Sequence, residues 1–122
     1  MQYGDEVHGE VHSTDASSGV EIPIYEAGKV VARTLASTEC LVITDFQIVS
    51  VPGGDCAIFL DESDNNGLNA GEVVVRGTVA ANGGLAGGWR GTHRTGARGA
   101  KPHVIAPAGV VDVVFTGYIK RA

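Results

Sequence analysis

A chain of 122 residues with 43% hydrophobic residues suits one globular domain and argues against global disorder. Its apolar runs are too short for a helix that spans a bilayer, and its N-terminal ten residues lack the basic start and apolar core of a secretory signal. The formal net charge of −5 argues against nucleic-acid binding, which normally needs a basic domain.

The first nineteen residues are polar and rich in Gly, Ser and Asp. This composition is typical of a segment that orders only when it docks on a partner. We therefore expect a polar N-terminal arm over residues 1–19, with one short strand over residues 7–12, and a single β-sandwich domain over residues 20–122.

His8, Glu10 and His12 alternate within this arm, so a strand would place their side chains on one face. Two imidazoles and a carboxylate on one face could hold zinc or a similar ion. However, Val7 and Val11 alternate with them, as in any half-buried strand. We therefore predict a solvated strand face with no metal and no cofactor, and keep metal binding as the alternative.

Almost every regular segment has the β-branched and aromatic composition of a strand, and no window keeps the 3.6-residue apolar period of a helix. Turn residues separate the segments. The pattern predicts an all-β fold of about eight strands, a two-sheet antiparallel β-sandwich of the jelly-roll type. An immunoglobulin-like sandwich competes, but Trp89 follows both cysteines instead of lying between them. The predicted strands cover residues 30–35, 40–51, 57–60, 73–79, 103–106 and 110–119, with an edge strand over residues 21–25.

Cys40 and Cys56 each lie beside strand-like sequence and could pair across neighbouring strands. Two cysteines without a secretory signal do not form a disulfide framework. We expect both thiols to be free and half-buried, as in a protein assembled in a reducing cytoplasm.

Residues 61–67 are rich in Asp and Asn and have the composition of a calcium loop, with Glu72 at the twelfth position counted from Asp61. Gly67 comes one place late for an EF-hand, and strands instead of helices flank the segment. An Asx-rich turn between strands explains the same residues without an ion, and we prefer it. Calcium binding stays open as the alternative.

Residues 81–103 contain seven glycines, no acidic residue and the only tryptophan of the chain. A segment of this length between strands predicts a long loop, and such loops are usually functional or disordered. Its glycine pairs lack the helix and the Lys-Ser/Thr that phosphate-binding loops need. Tryptophan anchors and arginine–carboxylate pairs are typical of protein interfaces. We therefore predict a partner-binding surface, with a solvated loop packed at the core edge as the alternative; its residues are Trp89, Arg90, Arg94, Arg98 and Lys101.

The charges are divided unevenly along the chain. Residues 1–72 carry thirteen acidic and two basic residues, a balance of −11, whereas residues 73–122 carry one acidic and seven basic residues, a balance of +6. Either strands from the two halves interleave and the charges mix, or the subunit has acidic and basic faces that meet between copies or on a larger partner.

The polar N-terminal segment, the compact Gly-rich β-domain and the strand that runs through residues 110–119 almost to the C-terminus resemble the small jelly-roll decoration, or cement, proteins of tailed bacteriophage capsids. Some of those proteins have a tumour-necrosis-factor-like trimeric form. The resemblance concerns the size and layout of the whole chain and includes no residue motif. It implies a non-enzymatic protein on the virion, assembled in the host cytoplasm, that binds the outer surface of the capsid and strengthens it. The implied partners are the major capsid protein and further copies of the chain, as a trimer in preference to a dimer.

Two other functions fit the same composition. A carbohydrate- or receptor-binding jelly roll is one, although such sites usually display exposed aromatics and the seven aromatics of this chain lie mostly within strands. A small cupin-type metal enzyme is the other, and it would need His8, Glu10 and His12 to bind metal. We expect no enzyme activity, because no nucleophile, base and orienting residue occur in an ordered frame.

Overall fold

The structure is a computed structural model that describes residues 5–62, 72–88 and 94–121, excepting the side chains of Asp5 and Arg94. Over these residues the chain is all-β and contains no helix, so none is present there that could cross a membrane. The strands are β1 (Asp5–Asp15), β2 (Val20–Glu21), β3 (Ile24–Glu26), β4 (Glu39–Ser50), β5 (Gly54–Asp61), β6 (Val73–Val79), β7 (Gly83–Gly88), β8 (Arg94–Thr95), β9 (Lys101–Ile105) and β10 (Val110–Arg121).

The strands form two antiparallel sheets. The first has the order β3-β1-β10-β4-β7, with β8 pairing on β4 as well, and the second has the order β2-β9-β5-β6. When the short β3 and β8 are left aside, the pairing is nested: β1 with β10, β2 with β9, β4 with β7, and β5 with β6. The predicted two-sheet antiparallel β-sandwich is confirmed.

One hydrophobic core lies between the sheets and receives side chains from both. Strand alternation directs every second residue inward, so Ile48 of β4 and Phe115 of β10 meet Ile58 of β5 and Val104 of β9 in one cluster. All four side chains are essentially inaccessible to solvent.

Residues 5–15 of the predicted polar arm form β1, which contains the short strand predicted over residues 7–12 and extends beyond it on both sides. This strand lies inside the first sheet, between β3 and β10, and its register pairs Asp5 with Ile119. Val7 and Val11 face the core, and between them Gly9 faces the ring of Phe115 so closely that a Cβ would collide with it. The polar residues that suggested an arm occupy the opposite face of the strand.

The predicted strand over residues 30–35 is wrong. In place of a ladder, this segment makes one isolated bridge, between Arg33 and Ile24. The β-branched residues that suggested a strand, Val30 and Val31, are exposed on a loop. The predicted edge strand over residues 21–25 is divided at Pro23 into β2 and β3, which belong to different sheets.

The predicted long loop over residues 81–103 is replaced in large part by strands β7, β8 and β9. Strand β7 pairs antiparallel with β4 from Gly83, opposite Ser50, and β8 pairs with β4 farther along. The Gly99 N–H then donates to the Glu39 carbonyl oxygen at 2.8 Å. The glycines of β7 allow this close approach, since a Cβ on Gly84 would collide with the carbonyl oxygen of Ile48. Residues 89–93 lie outside the described residues.

Candidate interaction surface

The five residues predicted to bind a partner are only partly described. Trp89 and Arg90 lie outside the described residues, and Arg94 is described by its backbone, which pairs with Ile43 in β8. Arg98 is exposed, and Lys101 is half-buried at the start of β9. The partner-binding role of this set therefore stays a prediction.

A surface that the sequence did not reveal lies on the loop between β3 and β4, at residues 27–34, here called the valine loop. Val30 is 92% exposed and Val31 is 78% exposed, the highest values among the large hydrophobic residues described. Two adjacent valines in solvent are unusual, because apolar residues at a surface are normally scattered singly. They were mistaken for strand residues because β-branched residues are enriched in strands, a preference that depends strongly on tertiary context.

Backbone hydrogen bonds close both ends of the valine loop. The Lys29 N–H donates to the Glu26 carbonyl oxygen at 3.1 Å, and Gly28 supplies the left-handed φ of +75° at this turn. On the return, the Arg33 N–H donates to the carbonyl oxygen of Ile24 at 2.6 Å. The two valines therefore lie between two residues whose backbone positions are fixed by hydrogen bonds.

Arg33 also fixes the base of the valine loop through its side chain. Its Nε donates to Glu26 Oε1 at 2.8 Å, and its Nη2 donates to Glu39 Oε2 at 2.6 Å. Glu39 is buried and accepts the N–H of Ala36 at 2.9 Å, while Arg121 Nη2 lies 3.6 Å from Glu39 Oε2. The Arg33 hydrogen bond, followed by the Ala36 N–H, lowers the pKa of Glu39 against the opposing effect of burial. Charge-assisted bonds of this kind hold planar groups in one orientation.

The predicted histidine face lies on the solvent side of the first sheet. The Glu10 carboxylate stands between two imidazoles, with Oε2 3.0 Å from His12 Nε2 and Oε1 3.7 Å from His8 Nε2. His12 Nδ1 also lies 3.5 Å from Asp112 Oδ1 on β10. The hydrogen bond between Glu10 and His12 lowers the pKa of Glu10 and raises the pKa of His12. Within the described part of the chain, no three His, Cys, Asp or Glu side chains are grouped so as to hold a metal ion.

Most of the predicted calcium-loop segment, residues 63–71, lies outside the described residues. At its two ends, Glu72 Oε2 accepts the Glu62 N–H at 2.7 Å, and Asp61 Oδ2 lies 3.7 Å from His103 Nε2. His103 is buried and stacks on Phe59, with ring centroids 5.3 Å apart. Both end carboxylates thus already face groups of the protein.

The cysteines are free, as predicted, and both are buried where half-buried thiols were expected. Cys56 belongs to the core between the sheets, and burial raises its pKa. A thiol in that environment is unreactive, because the thiolate is the nucleophile.

The acidic and basic halves of the chain meet within the fold. Arg121 of the basic half faces Glu39 of the acidic half, because β10 lies beside β4. At this contact the charges mix, as in the first of the two alternatives.

No family model, curated protein or solved structure matches the chain. The chemistry of its own surface is therefore the basis for assigning a function. Among the described residues, the valine loop is the surface that most clearly requires an explanation, because its apolar side chains are exposed while its base is held by buried charge.

Proposed function

We propose that the chain is a non-enzymatic structural protein that binds the outer surface of an assembled viral capsid and stabilises it, as decoration or cement proteins do. The observation that carries this proposal is the valine loop, which presents Val30 and Val31 on a base fixed by Arg33. An apolar protrusion held in one conformation is suited to docking on another protein.

The strand order supports a jelly roll as the finer description of the β-sandwich. A jelly roll winds four antiparallel strand pairs around a barrel, so that the first strand pairs with the last and the middle two pair with each other. The eight main strands of this chain follow that nested order. The order supports the resemblance to small jelly-roll decoration proteins, whose partner is the major capsid protein.

We further propose that the chain acts as a homo-oligomer, a trimer in preference to a dimer, at the virion surface after assembly in the host cytoplasm. A small protein that presents a single docking loop binds weakly as one copy. Joining copies converts later contacts into intramolecular ones and multiplies the affinity without any new contact.

The test is to mix the purified chain with expanded, undecorated capsids of the major capsid protein encoded in the same genome. Electron microscopy should show added density at regularly repeated sites, and decorated capsids should withstand higher temperature than bare ones. Empty sites at saturating protein would refute the proposal.

A carbohydrate- or receptor-binding module is the second candidate, favoured by one observation. Tyr25 stacks on His8 at the outer side of the first sheet, with ring centroids 5.4 Å apart and an interplanar angle of 24°. Aromatic faces are typical contacts for ligands with apolar surfaces. A glycan array decides this candidate: specific binding that Tyr25→Ala abolishes would favour it over the capsid proposal.

A further inference from the structure

We propose that Val30 and Val31 are the residues that dock, and that their partner is an apolar recess repeated across a protein shell. This inference rests on the proposed function and names the contact that the capsid supplies. The two valines are the most exposed of the large hydrophobic residues described.

The valines lie on a loop whose base is held by hydrogen bonds. Arg33, which follows them, is bonded through its backbone to Ile24 and through its side chain to Glu26 and Glu39. A loop whose ends are fixed before binding loses less conformational entropy when it docks. The fixed base of the valine loop therefore suits a docking role.

The charged residues near the valines suit a partner whose apolar recess has a polar rim. The open depression that the valines help to line is also lined by Glu26, Lys29 and Arg33. Protein interfaces have this arrangement, with an apolar centre and charged residues at the margin. A lipid surface is a poorer partner, because Glu26 would be carried towards the headgroups.

The small apolar area of the two valines argues against a second copy of this chain as their partner. A stable pair of proteins usually buries roughly 800 Å² on each side, far more than two valine side chains provide. The valines are therefore too small to hold two copies of this chain together by themselves. They are sufficient when several copies, joined through another surface, engage a partner that repeats the same recess.

The experiment compares two double variants of the full-length chain. Val30→Thr/Val31→Thr keeps the shape of both side chains and replaces one methyl of each by a hydroxyl, which a dry recess disfavours. Val51→Thr/Val114→Thr is the matched control, because these valines are also exposed, at 49% and 38%, and lie outside the valine loop. Each variant is titrated onto undecorated capsids, and its melting temperature and molar mass in solution are measured.

The loop variant should bind capsids at least tenfold more weakly than the wild type, with its melting temperature and molar mass unchanged. The control should bind as the wild type does. Equal binding by the loop variant and the wild type would overturn the inference and leave the proposed function standing. A loss of oligomers in the loop variant would also overturn it, because the valines would then join copies of the chain. Failure of the wild type itself to bind would remove the proposed function and the inference with it.

Discussion

At the scale of single residues, the row of His8, Glu10 and His12 was predictable, because alternation on a strand follows from local sequence alone. The acidic residue that faces His12 from the neighbouring strand was not predictable. Asp112 is 100 positions from His12 and reaches it only because β10 pairs with β1. Side-chain partners across strands depend on register, which a single sequence does not specify.

Glu10→Gln should lower the pKa of His12 towards its ordinary value, because the hydrogen bond that the imidazole donates to the Glu10 carboxylate is the largest cause of the present increase. Titration of the imidazole by NMR measures the change. Glu6→Gln is the matched control, since Glu6 is an exposed glutamate on the same strand. A His12 pKa that moves equally in both variants would contradict the assignment.

The same pair has a defined effect on stability against pH. The raised pKa of His12 gives stabilisation that is present below the ordinary imidazole pKa of about 6.5 and is lost as the pH rises through the raised value. The lowered pKa of Glu10 gives stabilisation that is present above the ordinary carboxyl pKa of about 4.3 and is lost as the pH falls through the lowered value. The difference in melting temperature between the wild type and Glu10→Gln should therefore be largest between about pH 4.3 and pH 6.5. A difference that does not vary with pH would contradict the pairing.

At the scale of elements, composition predicted the long hydrophobic strands β4 and β10 but failed for segments whose fold depends on a neighbour. Strand β1 has a polar solvent face, so its average composition is that of a solvated arm, although Val7 and Val11 are buried. Strand β7 consists mostly of glycine, which lowers strand propensity and yet is required beside the Ile48 carbonyl. Tertiary contact overrides local propensity in both strands.

Gly9→Ala tests whether β1 is a structural strand. The new methyl group would collide with the buried ring of Phe115, and overpacking of this kind costs about 1–3 kcal/mol. Thermal denaturation followed by circular dichroism should show a melting temperature lower by roughly 5–10 °C.

Gly87→Ala provides the matched control in β7. A Cβ there would lie 3.4 Å from Phe46 Cζ, which is an ordinary contact at an exposed position. Its stability should change by no more than about 0.5 kcal/mol. If Gly9→Ala were equally harmless, residues 5–15 would behave as an arm and not as a strand.

At the scale of the whole molecule, the sandwich was predictable from the number and spacing of the strands, whereas the partner of each strand was not, since β7 was predicted as a loop and residues 30–35 as a strand. The alternation of apolar and polar residues predicts which face of a strand is buried, but it does not predict which strand lies beside it. The pairing of β1 with β10 brings Asp5 opposite Ile119, so it closes a loop that contains most of the described residues. The nested pairing depends on which distant strands pair most favourably, and this cannot be predicted from the composition of the individual segments.

This topology predicts slow folding. Because β1, β2 and β4 all pair with strands that come much later, refolding should take milliseconds to seconds at 25 °C. Stopped-flow circular dichroism measures the rate, and a double-jump protocol separates the slower phases that isomerisation of the four prolines contributes. Complete folding within microseconds would be inconsistent with the nested order.

The position of Arg121 determines where this protein tolerates an added tag. Arg121 lies against Glu39, the carboxylate that holds the base of the valine loop, so a fluorescent protein fused after it would crowd the valines. The exposed turn at residues 107–109 lies at the other end of β10, which spans twelve residues and is therefore about 35 Å long. A short epitope inserted in that turn would leave the valines clear, and a label placed there is the better choice for imaging.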